Sequence, residues 1–337
     1  MANITDAKLS GHSSLDDADD SHNAISIEAK KRAAEIPWNP KMHQQRGVSD
    51  WVVDIIIWVV LALVVIAVLY PMWFVVIASF SNPRLVATGQ VTLWPRDITF
   101  AGYEQVFADD RIWRGYLNTI IYSVVGTAVN MIVTLPAAFA LSRRDLRGRR
   151  PIMFLFTFTM YFGGGLIPNY LLFQQLHLID NWLVYILPGA VSVWNLIIAR
   201  SFFETSIPEE LHDAAQIDGM GYFGYFMKIV LPLSSAIIAV LGLYYFVGHW
   251  NDYFTGLIYI NNENKYPLQN VLQSILLGAQ TAATGTTGSG VSAVAQQQLA
   301  DQIKYGVMIV STAPLIVLYP FLQKYFNKGV MIGAVKG

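Results

Sequence analysis

The residues best placed to do chemistry form a polar island between two apolar runs. The island reads Glu210-Leu-His-Asp-Ala-Ala-Gln-Ile-Asp-Gly219, and Lys228-Ile-Val-Leu-Pro232 follows. The chemistry on offer is docking rather than bond making. Ser206 is a suitable N-cap with Glu209 three residues on, as in a capping box. Pro208 falls in the first turn, where its missing N–H is harmless. Leu211, Ala214, Ala215 and Asp218 then recur at helical spacing on one face. Gly219 is placed to end the helix in the left-handed conformation. Small residues on that face let another backbone approach closely. The same segment could also lie on a lipid surface as an amphipathic re-entry loop.

Other chemistry fails on search. No G-x-x-x-x-G-K-[ST] run occurs, so the chain has no P-loop for ATP. No H-E-x-x-H and no G-x-S-x-G occur either, and the six histidines are scattered. The absence of cysteine excludes disulfides, iron–sulfur clusters and thiol catalysis. The expectation is a chain that is not an enzyme and holds no metal or cofactor of its own, driven by a partner or a gradient. A net charge of −1 gives no reason to expect nucleic acid.

The elements that must position the island are membrane spans. The 337-residue chain is 54% hydrophobic and 13% charged, against about 25% charged in soluble domains, and its mean hydropathy is +0.42. A span takes about 20 apolar residues. Six stretches qualify or nearly so: 55–80, 117–141, 151–173, 182–199, 229–260 and 305–325. The expected fold is therefore an all-α integral membrane protein with six transmembrane helices. Within the third stretch, Gly163-Gly-Gly165 with Pro168 and Asn169 predicts a helix break, of the kind that often lines a transport site; the same glycines could serve close helix packing.

Lys and Arg concentrate in short cytoplasmic loops. The densest cluster is Arg143, Arg144, Arg147, Arg149 and Arg150, and Arg200, Lys228, Lys324, Lys328 and Lys336 fall on the same side of the six-span scheme. Both termini are then cytoplasmic. Residues 1–50 form a polar tail with an acidic run at Asp16-Asp-Ala-Asp-Asp20 and no apolar stretch before Trp51, which argues against a signal peptide. That tail is expected to be mostly disordered, with a short amphipathic helix possible over 24–35. The membrane domain is expected over 51–327, with the docking loop at 206–232 and an external loop at 261–302. The second half of the external loop is rich in Gly, Thr and Ala and reads as a flexible surface segment. Residues 328–337 close the chain as a cytoplasmic tail.

The island resembles the EAA loop of binding-protein-dependent ABC importer permeases: E-A-A, three residues, G, nine residues, I, one residue, L-P. Here Asp213-Ala214-Ala215, Gly219, Ile229 and Leu231-Pro232 keep every spacing, with Asp in place of the usual Glu. The resemblance extends over roughly 50–337. His249-Trp-Asn-Asp-Tyr-Phe254 and the tail Lys328-Gly-Val-Met-Ile-Gly-Ala-Val-Lys-Gly337 are similar to maltose-type carbohydrate-uptake permeases, the subunit whose tail reaches the ATPase. Tyr161-Phe-Gly-Gly-Gly-Leu-Ile-Pro-Asn-Tyr170 is similar to permeases for polysaccharide fragments.

The resemblance implies a type I importer permease fold in a bacterial cytoplasmic membrane, with a cytoplasmic coupling helix. It implies a second, different permease chain, an ABC ATPase dimer that binds ATP and Mg, an extracytoplasmic solute-binding protein, and an oligosaccharide as cargo. Glu210, Asp213, Ala214, Ala215, Asp218 and Gly219 would be the coupling residues. Gly333, Val335, Lys336 and Gly337 would lie against the ATPases.

Asn169, Trp194, Asn195, Trp250 and Asn251 are the expected lining of the translocation path. Aromatic faces and amides are what grip a sugar, and amides facing hydrocarbon are costly unless bonded. Trp is also common at lipid headgroups, so packing and anchoring stay open for each. A self-sufficient secondary transporter or channel is the rival function. The lack of a visible inverted repeat and the scarcity of intramembrane charges count against it. A membrane anchor would leave the island's spacing unexplained.

Overall fold

A computed structural model describes residues 48–285, 303–317 and 320. The chain divides into two units between Val68 and Leu69. That boundary lies inside the first helix, α1 (Val48–Ser79). Among the described residues every regular element is helical.

In the second unit a short α2 (Pro83–Ala87) is capped by Asn82, whose side chain accepts from the Arg84 N–H. α3 (Ala101–Ala108) leads to Asp109, which caps α4 (Asp110–Ser142) in the same way through the Arg111 N–H. α4 is the central element. It packs along α7 (Val193–Ser206), α10 (Ser235–Trp250) and α12 (Leu268–Gly285). Small and polar residues, Gly115, Thr119, Ser123, Gly126, Asn130 and Thr134, line its buried stripe. Gly115 lets the backbone at Leu268 come so near that an added Cβ would sit 3.1 Å from the Leu268 Cα.

Between these lie α5 (Arg149–Tyr161), α6 (Leu166–Gln175), α8 (Glu209–Ile217) and α9 (Tyr222–Tyr225). α9 runs through a π-helical turn, Phe226–Val230, and a short turn, Leu231–Leu233, before α10. α11 (Phe254–Tyr259) precedes α12, and α13 (Ile303–Val317) is the last helix described.

Two helices are long and apolar enough to cross a membrane, Asp50–Ser79 and Asp110–Ser142. Two more candidates are bent pairs: Arg149–Tyr161 with Leu166–Gln175 at 113°, and Tyr222–Leu233 with Ser235–Trp250 at 83°. The described residues thus hold two to four spans by this measure, not the expected six. The break at the third expected span occurs at Gly163-Gly164-Gly165, with Gly165 at φ +87°. The fourth expected span is not one helix. A 3-10 turn, Trp182–Tyr185, gives way to Pro188-Gly189, and α7 starts only after Ser192 caps the Asn195 N–H. Proline has no N–H to continue a helix and glycine offers it no stiffness. α12 also corrects the external loop: its helix carries through Gly278 to Gly285, so part of the expected flexible segment is helical. The expected features over 1–47, 286–302 and 321–337 lie outside the described residues.

Three cores hold the second unit together. Leu135, Phe139, Leu196, Phe203, Ala215 and Phe226 join α4, α7, α8 and the π turn. Ile112, Trp250, Leu268, Val271 and Val307 join α4, α10, α12 and α13. Tyr122, Val184, Tyr185 and Tyr259 form the third.

Candidate functional site: the α8 platform and the cleft beside α10

α8 begins at Glu209 with Pro208 as its N-cap at φ −60° and ψ 143°, and no side chain caps it. The expected capping box is therefore absent. Ser206 is instead the last residue of α7, because Pro208 separates the two helices and pushes Ile207 out of helical geometry (ψ 107°). Glu209 and Glu210 favour the helix start through its dipole.

The far end follows the expectation. Gly219 has φ +74°. Its N–H donates to the Gln216 carbonyl at 3.0 Å, and the Met220 N–H donates to the Ala215 carbonyl at 2.8 Å. Those two bonds make a Schellman motif, with Met220 and Ala215 packed into the same core.

α8 is held from behind by the loop between α4 and α5. His212 is 5% exposed and Ala215 3%. Nη2 of Arg143 lies 3.0 Å from His212 Nδ1. Arginine can only donate, so Nδ1 accepts and the ring proton sits on Nε2, next to Gln216. The imidazole stacks on Tyr222 with centroids 5.1 Å apart and meets Tyr225 edge-on at the same distance. Arg143 also approaches Asp145 (3.6 Å) and Glu209 (3.8 Å). Tyr222 donates its hydroxyl to Asp145. That bond, with Arg143 adding to it, holds the Asp145 carboxyl below the usual carboxylate range. Across the start of α5, Glu204 accepts from Arg149 at 3.1 Å and from Arg200 at 2.8 Å.

What remains outward is Glu210, Leu211, Asp213, Ala214 and Asp218, with Gly219 at the turn. Ile217 is 88% exposed and Phe223 77%. The expected shared face therefore splits: Leu211, Ala214 and Asp218 face out, and Ala215 faces the core. The result is a stiff, acidic-edged knob with apolar tips, fit for a groove on another protein.

The second candidate region is a cleft of about 330 Å³ between the 182–195 segment, α10 and α11. Asn195, Tyr185, Tyr245, His249, Asp252 and Thr255 are among its lining. The Asn130 amide donates to the Gly189 carbonyl at 2.6 Å, and its oxygen lies 2.7 Å from His249 Nε2. His249 Nε2 is therefore the donor. An added Cβ at Gly126 would run into that imidazole. The Tyr245 hydroxyl bonds Thr134 at 2.7 Å and accepts from the Ser192 N–H at 3.1 Å.

The other expected path residues lie elsewhere. Trp250 is 2% exposed, packed against α4 and α12, and its indole donates to the Ser311 carbonyl at 3.2 Å. Trp194 is exposed on α7 and Asn169 is exposed on α6. The exposed Asn251 returns its amide to the Val247 carbonyl of its own helix. Gly333, Val335, Lys336 and Gly337 lie outside the described residues. The sequence marks Arg143 only as part of the arginine cluster and gives His212 and Tyr222 no role, although His212 stands inside the island; what singles out His212 is burial, which spacing does not reveal. No group of three or more metal-ligating side chains occurs among the described residues.

No protein-family model matches the chain. Relatives do. The polygalacturonan/rhamnogalacturonan transport system permease protein YtcP of Bacillus subtilis is 38% identical over 284 residues, covering 84% of this chain and 98% of that protein. Protein LplC of the same organism is 40% identical over 268 residues, covering 79% of this chain and 89% of the relative. Among solved structures, a chain of a bacterial ABC transporter involved in the import of the acidic polysaccharide alginate superposes with a TM-score of 0.74 at 32% identity, covering 83% of this chain and 98% of that one.

Proposed function

We infer the role of this chain from one premise: it belongs to the maltose-type carbohydrate-uptake permeases of ABC importers. It is a membrane transport subunit. In the reading proposed here it supplies half of a translocation path, a second permease chain supplies the other half, and ATP hydrolysis occurs in separate ATPase subunits that bind ATP and Mg. An extracytoplasmic solute-binding protein delivers the cargo. Relatives named for polygalacturonan, arabinooligosaccharides and maltodextrin favour an oligosaccharide. The membrane is the bacterial cytoplasmic membrane, with both termini in the cytoplasm.

The observation that carries this reading is the construction of α8. Its outer face, Glu210, Asp213, Ala214, Asp218 and Gly219, is free of the rest of the described chain. Its inner face is locked by Arg143, His212 and Ala215. A push on such a helix moves it as a body. Ala215 shares a core with Leu196, Phe226, Val230 and Leu241, so the push reaches α7 and α10, the walls of the cleft at Asn195 and His249. The C-terminal residues Gly333, Val335, Lys336 and Gly337 would add a second ATPase contact. Asn195 is the path residue best supported by its position; Asn169, Trp194 and Asn251 would serve only on a surface shared with the second permease.

The test is purification of this chain in mild detergent with its neighbouring gene products. An ATPase that co-purifies, and whose rate rises with loaded binding protein, supports the reading. Uptake by this chain alone in vesicles without ATP would remove it.

A further inference from the structure

A cavity of about 410 Å³ lies where the end of α4 meets α9 and the α4–α5 loop. Its walls are Pro136, Phe139, Ala140, Leu146, Phe223 and Phe226. That volume is within the roughly 300–1,000 Å³ of small-molecule sites. Its rim is polar: Arg143, Asp145 and Arg147 stand there, with the Tyr222 hydroxyl. The cavity shares Arg143, Asp145 and Tyr222 with the bracing of α8.

The rim sorts into spent and unspent charge. Asp145 is held by Tyr222 and Arg143, and Arg143 is committed to His212, Asp145 and Glu209, although its buried Nε makes no hydrogen bond among the described residues. Arg147 is exposed, and no carboxylate is paired with it among the described residues. Residues 143–150 hold five arginines and one aspartate, so the field over the rim favours an anion. α4 is one of the two helices long and apolar enough to span a membrane, and it ends at Ser142 beside this rim. The cavity therefore opens at the level where hydrocarbon meets water.

We propose that this cavity is a binding site for an anionic phospholipid of the inner leaflet, one acyl chain lying against Phe139, Phe223 and Phe226 and the headgroup phosphate on Arg147. An acyl chain already in hydrocarbon loses nothing by lying on an apolar wall, and an arginine is the natural partner of a phosphate. The proposal rests on the reading above only for its orientation, with the arginine loop inside. Because the lipid would touch Phe223, Phe226 and, through Tyr222, the ring stacked on His212, its presence would stiffen the support of α8.

The test uses the assembled importer, washed extensively in detergent and analysed by native mass spectrometry after exposure to phosphatidylglycerol or phosphatidylcholine. The expected result is retention of phosphatidylglycerol by the wild-type chain, its loss in Ala140→Phe, which fills the cavity from an exposed helix position, and at least a several-fold reduction in Arg147→Gln. Arg114→Gln, remote from the rim, should retain it. Equal retention of both lipids, or retention unchanged in Ala140→Phe and Arg147→Gln, would mean ordinary surrounding lipid and overturn the site. Retention by the membrane subunits stripped of their ATPases but not by the assembled importer would show the cavity to be a protein contact and overturn it as well. Because lipid mass is the readout, a chain that binds lipid but moves no sugar would refute only the transport reading.

Discussion

Removing the His212 ring should separate docking from response. His212→Ala leaves Arg143 without its nitrogen acceptor and Tyr222 without its stacking partner. Leaving a buried polar group unsatisfied costs about 1–3 kcal/mol. The expected outcome is an importer that assembles but couples poorly: ATPase activity persists while sugar uptake per ATP falls several-fold, measured in the same vesicles. Equal loss of both would point to simple unfolding of the platform. Trp250 and Asn195 make a contrasting pair. Both were legible in the sequence as side chains able to hold a sugar, and both are buried; what separates them is that Asn195 lines the cleft while Trp250 packs into the core against α4 and α12. Trp250→Ala empties a packed site, at about 3–5 kcal/mol, so its mark should be a lower melting temperature. Asn195→Ala removes an amide from the cleft wall and should lower uptake by more than its smaller effect on melting accounts for. Sequence spacing marks types, and types are shared by packing and binding; only three-dimensional neighbours tell them apart.

Helix ends are unequally legible in the sequence, for physical reasons. The glycine stop of α8 was legible because a left-handed residue admits few types. The start was not, because Ser206 and Glu209 satisfy a capping pattern that Pro208 overrides by breaking the chain between them. Apolar length marked the spans at α1 and α4. It misread 182–199, where Pro188-Gly189 interrupts an equally apolar run. Gly219→Val tests the stop. An added side chain meets no neighbour within the described chain at Gly219, so a defect comes from the backbone, at about 1–3 kcal/mol for a strained conformation, or from bulk on the docking face. The expected result is normal membrane insertion with weakened ATPase co-purification. On the opposite loop, Asp180 accepts from the Asn262 and Asn261 N–H groups and from Lys265. The Asn262 bond leads in holding its carboxyl below the usual range. A depressed folded pKa contributes stability that is full above the unfolded value, near 3.9, and is lost as pH falls through the folded one. Protection of the 261–265 amides in hydrogen exchange should therefore be constant from neutral pH down to that region and then fall. In Asp180→Asn it should be weak throughout. A loss of protection beginning near neutral pH would rule Asp180 out as the anchor.

For the molecule as a whole, the coupling reading hangs on which side of the membrane each loop occupies. Between α8 and the 261–265 turn the chain runs through α9, the π turn, α10 and α11, and the Tyr222–Trp250 portion passes the span test only as a bent pair. If that pair is one crossing, α8 and the turn stand on opposite sides, and the arginine loop that holds α8 places it inside. A chain without cysteine makes the question direct. Asn261→Cys and Asp218→Cys are both exposed positions. In intact cells an impermeant thiol reagent should label Asn261→Cys at once, and Asp218→Cys only after permeabilisation. In the purified complex, labelling of Asp218→Cys should slow strongly when the ATPases are bound and recover when they are stripped away, because the outer face of α8 is the proposed contact. Labelling of both positions from outside would make the bend a re-entrant loop and remove α8 from the cytoplasm. Inside labelling that ATPase binding leaves unchanged would keep the topology and place the docking surface elsewhere, so the two outcomes separate the membrane path from the coupling interface.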